Sequence, residues 1–363
     1  MGVLQMHDLF GRLLYISTVE QIDLSKVFAY PLTPIPLSLA HIDGSMNKTD
    51  KAKLMHNLEA FGEAGTVPKS VDVTLVDAGL LLHTLQNVPQ AFGDISSTIL
   101  NRLCSMSERV DFICDTYITP TIKEPERVRR GADGGMAFQV TGADQKRPKD
   151  WQKALASSAF KTALLQFLAV DWHKDAHADV LNGHVVTLAH GSTCYRFTED
   201  DGRVKREALT DMQCEHEEAD TRLIFHLANV FETCPDRTVS VRSNDTDVLV
   251  LLLYHVAKLR PETVVWMDAG LSGNNTRRSI NITSILQKID TTVIEALPAL
   301  HAFTGSDYTS SFMNKGKIKP FDLVRKSSTY SKTFAQLGET DTISEDGMSS
   351  IEAFVCALYG RPK

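Results

Sequence analysis

Two acidic pairs lie close together in the chain: Glu218-Ala219-Asp220, opening an apolar-periodic segment, and Asp245-Thr246-Asp247, following a β-branched run. A third acidic signal, Thr304-Gly305-Ser306-Asp307-Tyr308, comes later. Carboxylates gathered this way repel one another unless a cation sits among them, and an all-oxygen set suits Mg²⁺ or Mn²⁺. Such a centre activates water for hydrolysis, so these residues lead to the expectation of a metal-dependent nuclease.

Each acid taken alone also has a plain structural reading. An acid after a strand caps the following helix, and one in a first helical turn complements the helix dipole. The joint pattern is what favours chemistry, and it requires elements that bring the acids together. The β-branched run Val71-Asp72-Val73-Thr74-Leu75-Val76-Asp77 predicts a strand closing on Asp77, and Val110-Asp111-Phe112-Ile113-Cys114-Asp115 predicts one closing on Asp115. Asp72 and Asp111, at the strand starts, are assigned structural roles. Further strands are expected at 185–189, 193–197, 238–242, 264–268 and 279–282. Helices are expected at 89–105, 150–170 and 217–230, and 198–213 is read as a polar loop.

Strands alternating with helical patterns predict an α/β fold with a mostly parallel central sheet. In an open sheet of that kind ligands bind beyond the carboxyl ends of the strands, where Asp77, Asp115, Asp245 and Asp247 all fall. The expected organisation is a helical N-terminal extension (1–68), a catalytic domain (69–315) carrying a basic insertion (116–170), and a helical C-terminal segment (316–363).

At 363 residues, 43% hydrophobic and 23% charged, the chain has ample material for a folded core. A formal net charge of −7 argues against coating nucleic acid through charge alone, but a carboxylate centre supplies part of that charge. Six cysteines without a CxxC pair argue against a zinc ribbon or a disulfide scaffold and for a reducing compartment. No basic-then-apolar leader follows Met1, and the longest apolar run, 248–253, is too short for a bilayer, so a nuclear or cytoplasmic location is expected. His173 and His177 stand at i, i+4 without a Glu in HExxH order and read as a helix end rather than a zinc site. Gly270-Leu271-Ser272-Gly273 lacks phosphate-loop spacing.

The ordered series Val-Asp77-Ala-Gly, Phe-Ile-Cys-Asp115, Glu218-Ala219-Asp220, Asn-Asp245-Thr-Asp247 and Thr-Gly-Ser-Asp307-Tyr resembles the metal-binding blocks of the flap endonuclease and 5′ exonuclease family, over about residues 69 to 330. The chain also looks like a group of animal proteins that carry this set. The resemblance implies a PIN-like fold and two Mg²⁺ or Mn²⁺ ions held by Asp77, Asp115, Glu218, Asp220, Asp245, Asp247 and Asp307. It also implies that Lys123 with Arg129 or Arg130 grips the scissile phosphate, that Tyr117 stacks on a base, and that the partner is DNA or RNA of single-stranded or flap character. Where the family has a Gly-Ile-Gly hairpin that anchors duplex, this chain reads Phe312-Met313-Asn314-Lys315-Gly316-Lys317. That departure supports the alternative of a catalytically inactive relative serving as a nucleic-acid or protein scaffold.

Overall fold

The computed structural model describes residues 2–30, 35–63, 70–117, 138–234, 236–259, 264–271 and 276–360. The chain divides into two compact units, one formed by residues 1–54 and 295–363, the other by 55–294. The second holds an eight-stranded mixed sheet: β1 (Val73–Asp77), β2 (Arg109–Ile113), β3 (Val185–His190), β4 (Thr193–Asp200), β5 (Arg203–Ala208), β6 (Val239–Arg242), β7 (Val265–Ala269) and β8 (Arg278–Asn281). Their order is β5-β4-β3-β2-β1-β6-β7-β8. Strands β3, β2, β1, β6 and β7 pair in parallel, while β4, β5 and β8 are antiparallel additions at the two edges. The α/β class and the largely parallel sheet expected from the sequence are therefore present.

The chain winds outward from β1 through β2 to β3, then returns to the other side of β1 with β6 and continues to β7. The winding direction reverses between β1 and β6, the place where open sheets of this kind form a crevice beyond the strand ends.

Helices cover both faces of the sheet. On one face lie α4 (Ala78–His83), α5 (Phe92–Cys104), α6 (Trp151–Leu155), α7 (Ser158–Asp171) and α8 (Ala178–Leu181). Here Val76, Val110, Phe112, Val186 and Leu188 pack with Ile95, Ile99, Phe160, Leu164 and Trp172 in one buried cluster. The Trp172 ring is 6.2 Å from that of Phe112 and 5.7 Å from that of Phe197, each buried aromatic contributing about 1.5–3 kcal/mol through burial. On the other face α9 (Ala219–Thr233) packs on β1 and β2, and α10 (Thr246–Leu259) packs against α9 and against α11 (Ile282–Leu286), which covers β7.

Two local expectations need correction. The stretch 198–213, read as a loop, instead extends β4 and forms β5. Asp201 and Gly202 both take positive φ (51° and 69°), the backbone of a two-residue turn whose twist matches the flanking strands. The charged residues that made the stretch look like a loop belong to an edge strand, where exposed charge discourages pairing with another chain. The helix expected at 150–170 is two helices, because the Ser157 hydroxyl accepts the Phe160 N–H at 3.3 Å and starts a new one.

The other unit is helical. It contains α1 (Gly2–Val19), α2 (Leu24–Phe28), α13 (Ile318–Lys326), α14 (Ser328–Gln336) and α15 (Glu345–Leu358), while α3 (Ala52–Glu59) and α12 (Thr291–Phe303) each run across a limit of the division. Buried Lys317 donates to the His301 carbonyl at 2.6 Å and to Thr304 Oγ1 at 3.0 Å, placing an ammonium at the carboxyl end of α12 where the helix dipole favours it. No described helix is long and apolar enough to cross a membrane. All six cysteines are free thiols.

One buried polar group fixes how α9 seats on the sheet. Asp111, fully buried on β2, accepts two bonds from Arg109 (3.1 and 3.0 Å), and its Oδ2 lies 2.8 Å from His226 Nδ1 of α9. Burial opposes the charge, yet His226 and Arg109 together hold the carboxyl well below its usual range. Arg109 also donates to Asn229 Oδ1 at 3.1 Å, one turn along the same helix. Removing the carboxylate would leave the fully buried His226 and the partly buried Arg109 without their shared partner, so Asp111→Ala is expected to cost about 3–5 kcal/mol in urea unfolding. A loss under about 1 kcal/mol would show that α9 is seated by its apolar face alone.

Candidate metal centre

The site is built from strand ends and helix starts at the crevice between β1 and β6. Parallel strands end on the same side of the sheet, so Asp77, the last residue of β1, and Asp115, just beyond β2, emerge beside the loop that follows β6. Asp77 caps α4, its Oδ1 accepting the Leu80 N–H at 3.2 Å. The Asp115 Oδ1 accepts the Ala219 N–H at 2.9 Å, and the Thr116 N–H donates to the Glu217 carbonyl at 2.8 Å. Glu218 sits at the N-cap of α9 in extended backbone (φ −103°, ψ 139°) without bonding the helix through its own side chain. The cap is supplied instead by Asp115 from a distant strand, and this ties the N-terminus of α9 to the end of β2.

Past β6, Arg242 donates to the carbonyls of Asp268 (2.8 Å) and Gly270 (2.6 Å), and Asn244 Oδ1 accepts the Gly270 N–H at 2.6 Å. The loop after β6 is thereby fastened to the end of β7. Gly270 has φ +84°, and a Cβ there would overlap the Thr276 carbonyl, so this anchor requires glycine. Asp245 then starts α10, its Oδ1 accepting the Asp247 N–H at 2.9 Å.

These supports bring three carboxylates together. Asp220, Asp245 and Asp247 each offer an oxygen, and the three oxygens lie within 4.8 Å of one another. Oxygens around one octahedral Mg²⁺ are about 3–4.2 Å apart, so the spacing fits a shared divalent ion after small closure. Like charges about 4 Å apart repel by about 4 kcal/mol at an effective dielectric near 20. The Asp220 carboxyl is accordingly pushed well above its usual range, by burial and then by the charges of Asp245, Asp77, Glu218 and Asp247. Asp77 is pushed up to about 6, by burial first and then by Asp115 and Asp245, against the pull of the Leu80 and Gly79 N–H groups. Hard oxygen donors with surplus negative charge are the chemistry a divalent cation neutralises.

Six of the seven acids singled out from the sequence thus meet at one crevice or act on one another there. Asp307 belongs to the helical unit, where its carboxylate lies 3.3 Å from Lys51 Nζ and its carbonyl accepts Lys48 Nζ at 2.7 Å. It sits in a turn set by Gly305 (φ +106°) and by Thr309 Oγ1, which accepts the Ser306 N–H at 2.8 Å. Lys123, Arg129 and Arg130 lie outside the described residues.

Other candidates have structural roles. His177 is buried against Asp171, with Nε2 to Oδ2 at 3.1 Å, which accounts for it without zinc. His216 Nδ1 lies 3.0 Å from Thr221 Oγ1. One neighbour escapes sequence reasoning: Lys161 of α7 places its ammonium 4.7 Å from the centre of the Tyr117 ring, and its charge also reaches Cys114, beside Asp115. Nothing local in the sequence links Lys161 to Tyr117, because the contact depends on how α7 docks.

No protein-family model and no curated protein matches the chain.

Because the Asp77 carboxyl titrates near 6 rather than at its ordinary value, ionising it opposes folding of the metal-free chain. Its contribution to stability is complete below the unfolded-state value of 3.8 and is lost as pH rises through about 6. A divalent ion held near Asp77 would reverse that preference, and protons would then compete with it by about tenfold in affinity per pH unit below 6. Mn²⁺ should therefore raise the melting temperature more at pH 7.5 than at pH 5, and Asp77→Asn should narrow the difference. Equal shifts at both pH values would remove Asp77 from the centre.

Proposed function

We propose that this chain is a metal-dependent nuclease of PIN-like fold that hydrolyses phosphodiester bonds of DNA or RNA in the nucleus or cytoplasm. The observation that carries this reading is the convergence of Asp220, Asp245 and Asp247 at the crevice where the sheet reverses its winding, with Asp77 and Asp115 at the adjacent strand ends.

In this reading Asp220, Asp245 and Asp247 hold one divalent ion, and Asp77, Asp115 and Glu218 extend the set toward a second. Bound Mg²⁺ or Mn²⁺ would polarise the phosphoryl oxygen, supply an activated water and stabilise the leaving oxygen. The protein's part is to keep the carboxylates aimed inward at fixed spacing. The Asp115 cap on α9 and the Asp245 cap on α10 do this by tying each acid to a backbone N–H. Lys161, held over Tyr117, offers a cation for an incoming phosphate, and the Tyr117 ring offers a face for a base. Lys123, Arg129 and Arg130 would add to that grip. Asp307 enters the set through the family resemblance alone.

The test is cleavage of end-labelled single-stranded, 5′-flap and hairpin DNA and RNA in Mg²⁺, Mn²⁺ or EDTA. Metal-dependent cutting is expected, and Asp247→Asn should lower it at least about a hundredfold, since metal stabilisation of the transition state is worth several kcal/mol. Cutting that survives EDTA or is indifferent to Asp247→Asn would sink the reading. Binding of the same substrates without cutting would favour the inactive scaffold.

A further inference from the structure

The sheet is not covered evenly. On the face that packs against α4 to α8, strands β1, β6, β7 and β8 present Thr74, Ser240, Arg242, Trp266, Asp268 and Ser279, which the strand registers align across the sheet. The apolar helices stop over β1 to β3, and the polar remainder floors a cavity of about 1430 Å³ walled by α5 and the residues following α4. That volume exceeds the range of about 300–1,000 Å³ usual for small-molecule pockets, so the space suits a length of polymer rather than a single compact ligand.

The cavity is also electrostatically unbalanced. Among the described residues Asp268 is the one carboxylate on its lining, and it already pairs with both Arg242 (3.3 Å) and Arg277 (2.8 Å). Arg278 is matched by Glu59 at 2.7 Å. Arg102, half-buried on α5, faces the same space with no carboxylate or hydrogen-bond partner for its side chain among the described residues. Arg102 and Arg277 each lower the affinity of Arg242 for its proton, and Arg277 does the same to Arg102, in both cases after the larger effect of burial. Three guanidinium groups around a carboxylate that pairs with only two of them leave net positive charge in the cleft, which an anion would offset. Between them Trp266 lies half-buried on the floor, presenting an aromatic surface among polar neighbours.

We infer that this cleft binds single-stranded nucleic acid, with phosphates on Arg102, Arg242 and Arg277 and a base against Trp266. The assignment rests on the nuclease reading and extends it. The floor strands β1 and β6 are those that deliver Asp77 and Asp245, and the charge of Asp77 reaches Arg242. A strand lying in the cleft therefore leads toward the acidic cluster. Guanidinium–phosphate pairing and base stacking both tolerate any sequence, so binding is expected to be sequence-independent and strongly salt-dependent.

The experiment uses the full chain carrying Asp247→Asn, so that substrate stays intact, and measures fluorescence anisotropy with labelled oligo-dT and oligo-U in EDTA from 50 to 200 mM KCl. Arg102→Ala should weaken binding and reduce the slope of log affinity against log salt by about 0.7, the value for one single-strand phosphate contact. Arg102→Lys should keep most of that slope. Trp266→Ala should weaken binding about fivefold or more with the slope unchanged. The two oligomers distinguish DNA from RNA as the preferred strand. Affinity and slope unmoved by both Arg102→Ala and Arg102→Glu, in variants that melt like the parent, would overturn the cleft assignment, as would no binding of either oligomer. If metal-dependent cleavage persists under those outcomes, only the cleft is lost. If cleavage is absent but Arg102-dependent binding remains, only the nuclease reading is lost.

Discussion

The constraint on which the rest of the structure depends is electrostatic: several carboxylates must be held where they repel one another. Asp220 and Asp77 carry the cost most visibly, since burial and their neighbours push both toward the protonated form. A chain free to relax would let these side chains swing into water. Here they cannot, because the main chain at each acid is fastened by something else. Asp115 bonds the N-terminus of α9, Asp245 bonds the start of α10, and Asp77 bonds the start of α4. Each helix start welcomes negative charge through its dipole and unsatisfied N–H groups, which offsets part of the repulsion. The fold therefore holds the acids together while leaving negative charge that a divalent cation could neutralise.

The support reaches well beyond the acids. Residues of β6, β7 and the loops after them form a chain of bonds from Asp268 and Gly270 through Arg242 and Asn244 to Asp245. Asp111, Arg109 and His226 fix α9 against β2, and with it the direction from which Asp220 arrives. Both groups act on the acids through the backbone and helices that carry them, and so determine where the carboxylate oxygens can be.

Much of this was legible in the sequence because parallel strands announce their ends. Asp77 and Asp115 close β-branched runs, and Asp245 with Asp247 follows another, so one topological rule places them together. The Asp201-Gly202 turn was equally available as a hairpin signal, but the Arg, Lys and Glu residues around it look like a loop when an edge strand is not considered. Lys161 was not legible at all, since it reaches the Asp115 neighbourhood only through helix docking. The cleft was hidden for a related reason. Val239-Ser240-Val241-Arg242 and Val265-Trp266-Met267-Asp268 each show an apolar-polar alternation that reveals a polar face. Only the order β1-β6-β7-β8 aligns those faces into one floor.

That alignment bears on the acidic net charge of the chain, which on its own speaks against a nucleic-acid partner. A polyanion responds to the local field within about a Debye length, near 8 Å at physiological salt, rather than to the sum over the molecule. The cleft concentrates Arg102, Arg242 and Arg277 around one carboxylate, while Asp220, Asp245 and Asp247 gather negative charge beyond the ends of the same strands, where a divalent cation could offset it. If the cleft takes a nucleic-acid strand as we infer, separating the two charges on one sheet would give its phosphate backbone an attractive path toward the acids. In that reading the strand would approach the acidic cluster only when cations occupy it, so metal loading and strand binding should reinforce each other near the crevice and be independent farther along the cleft.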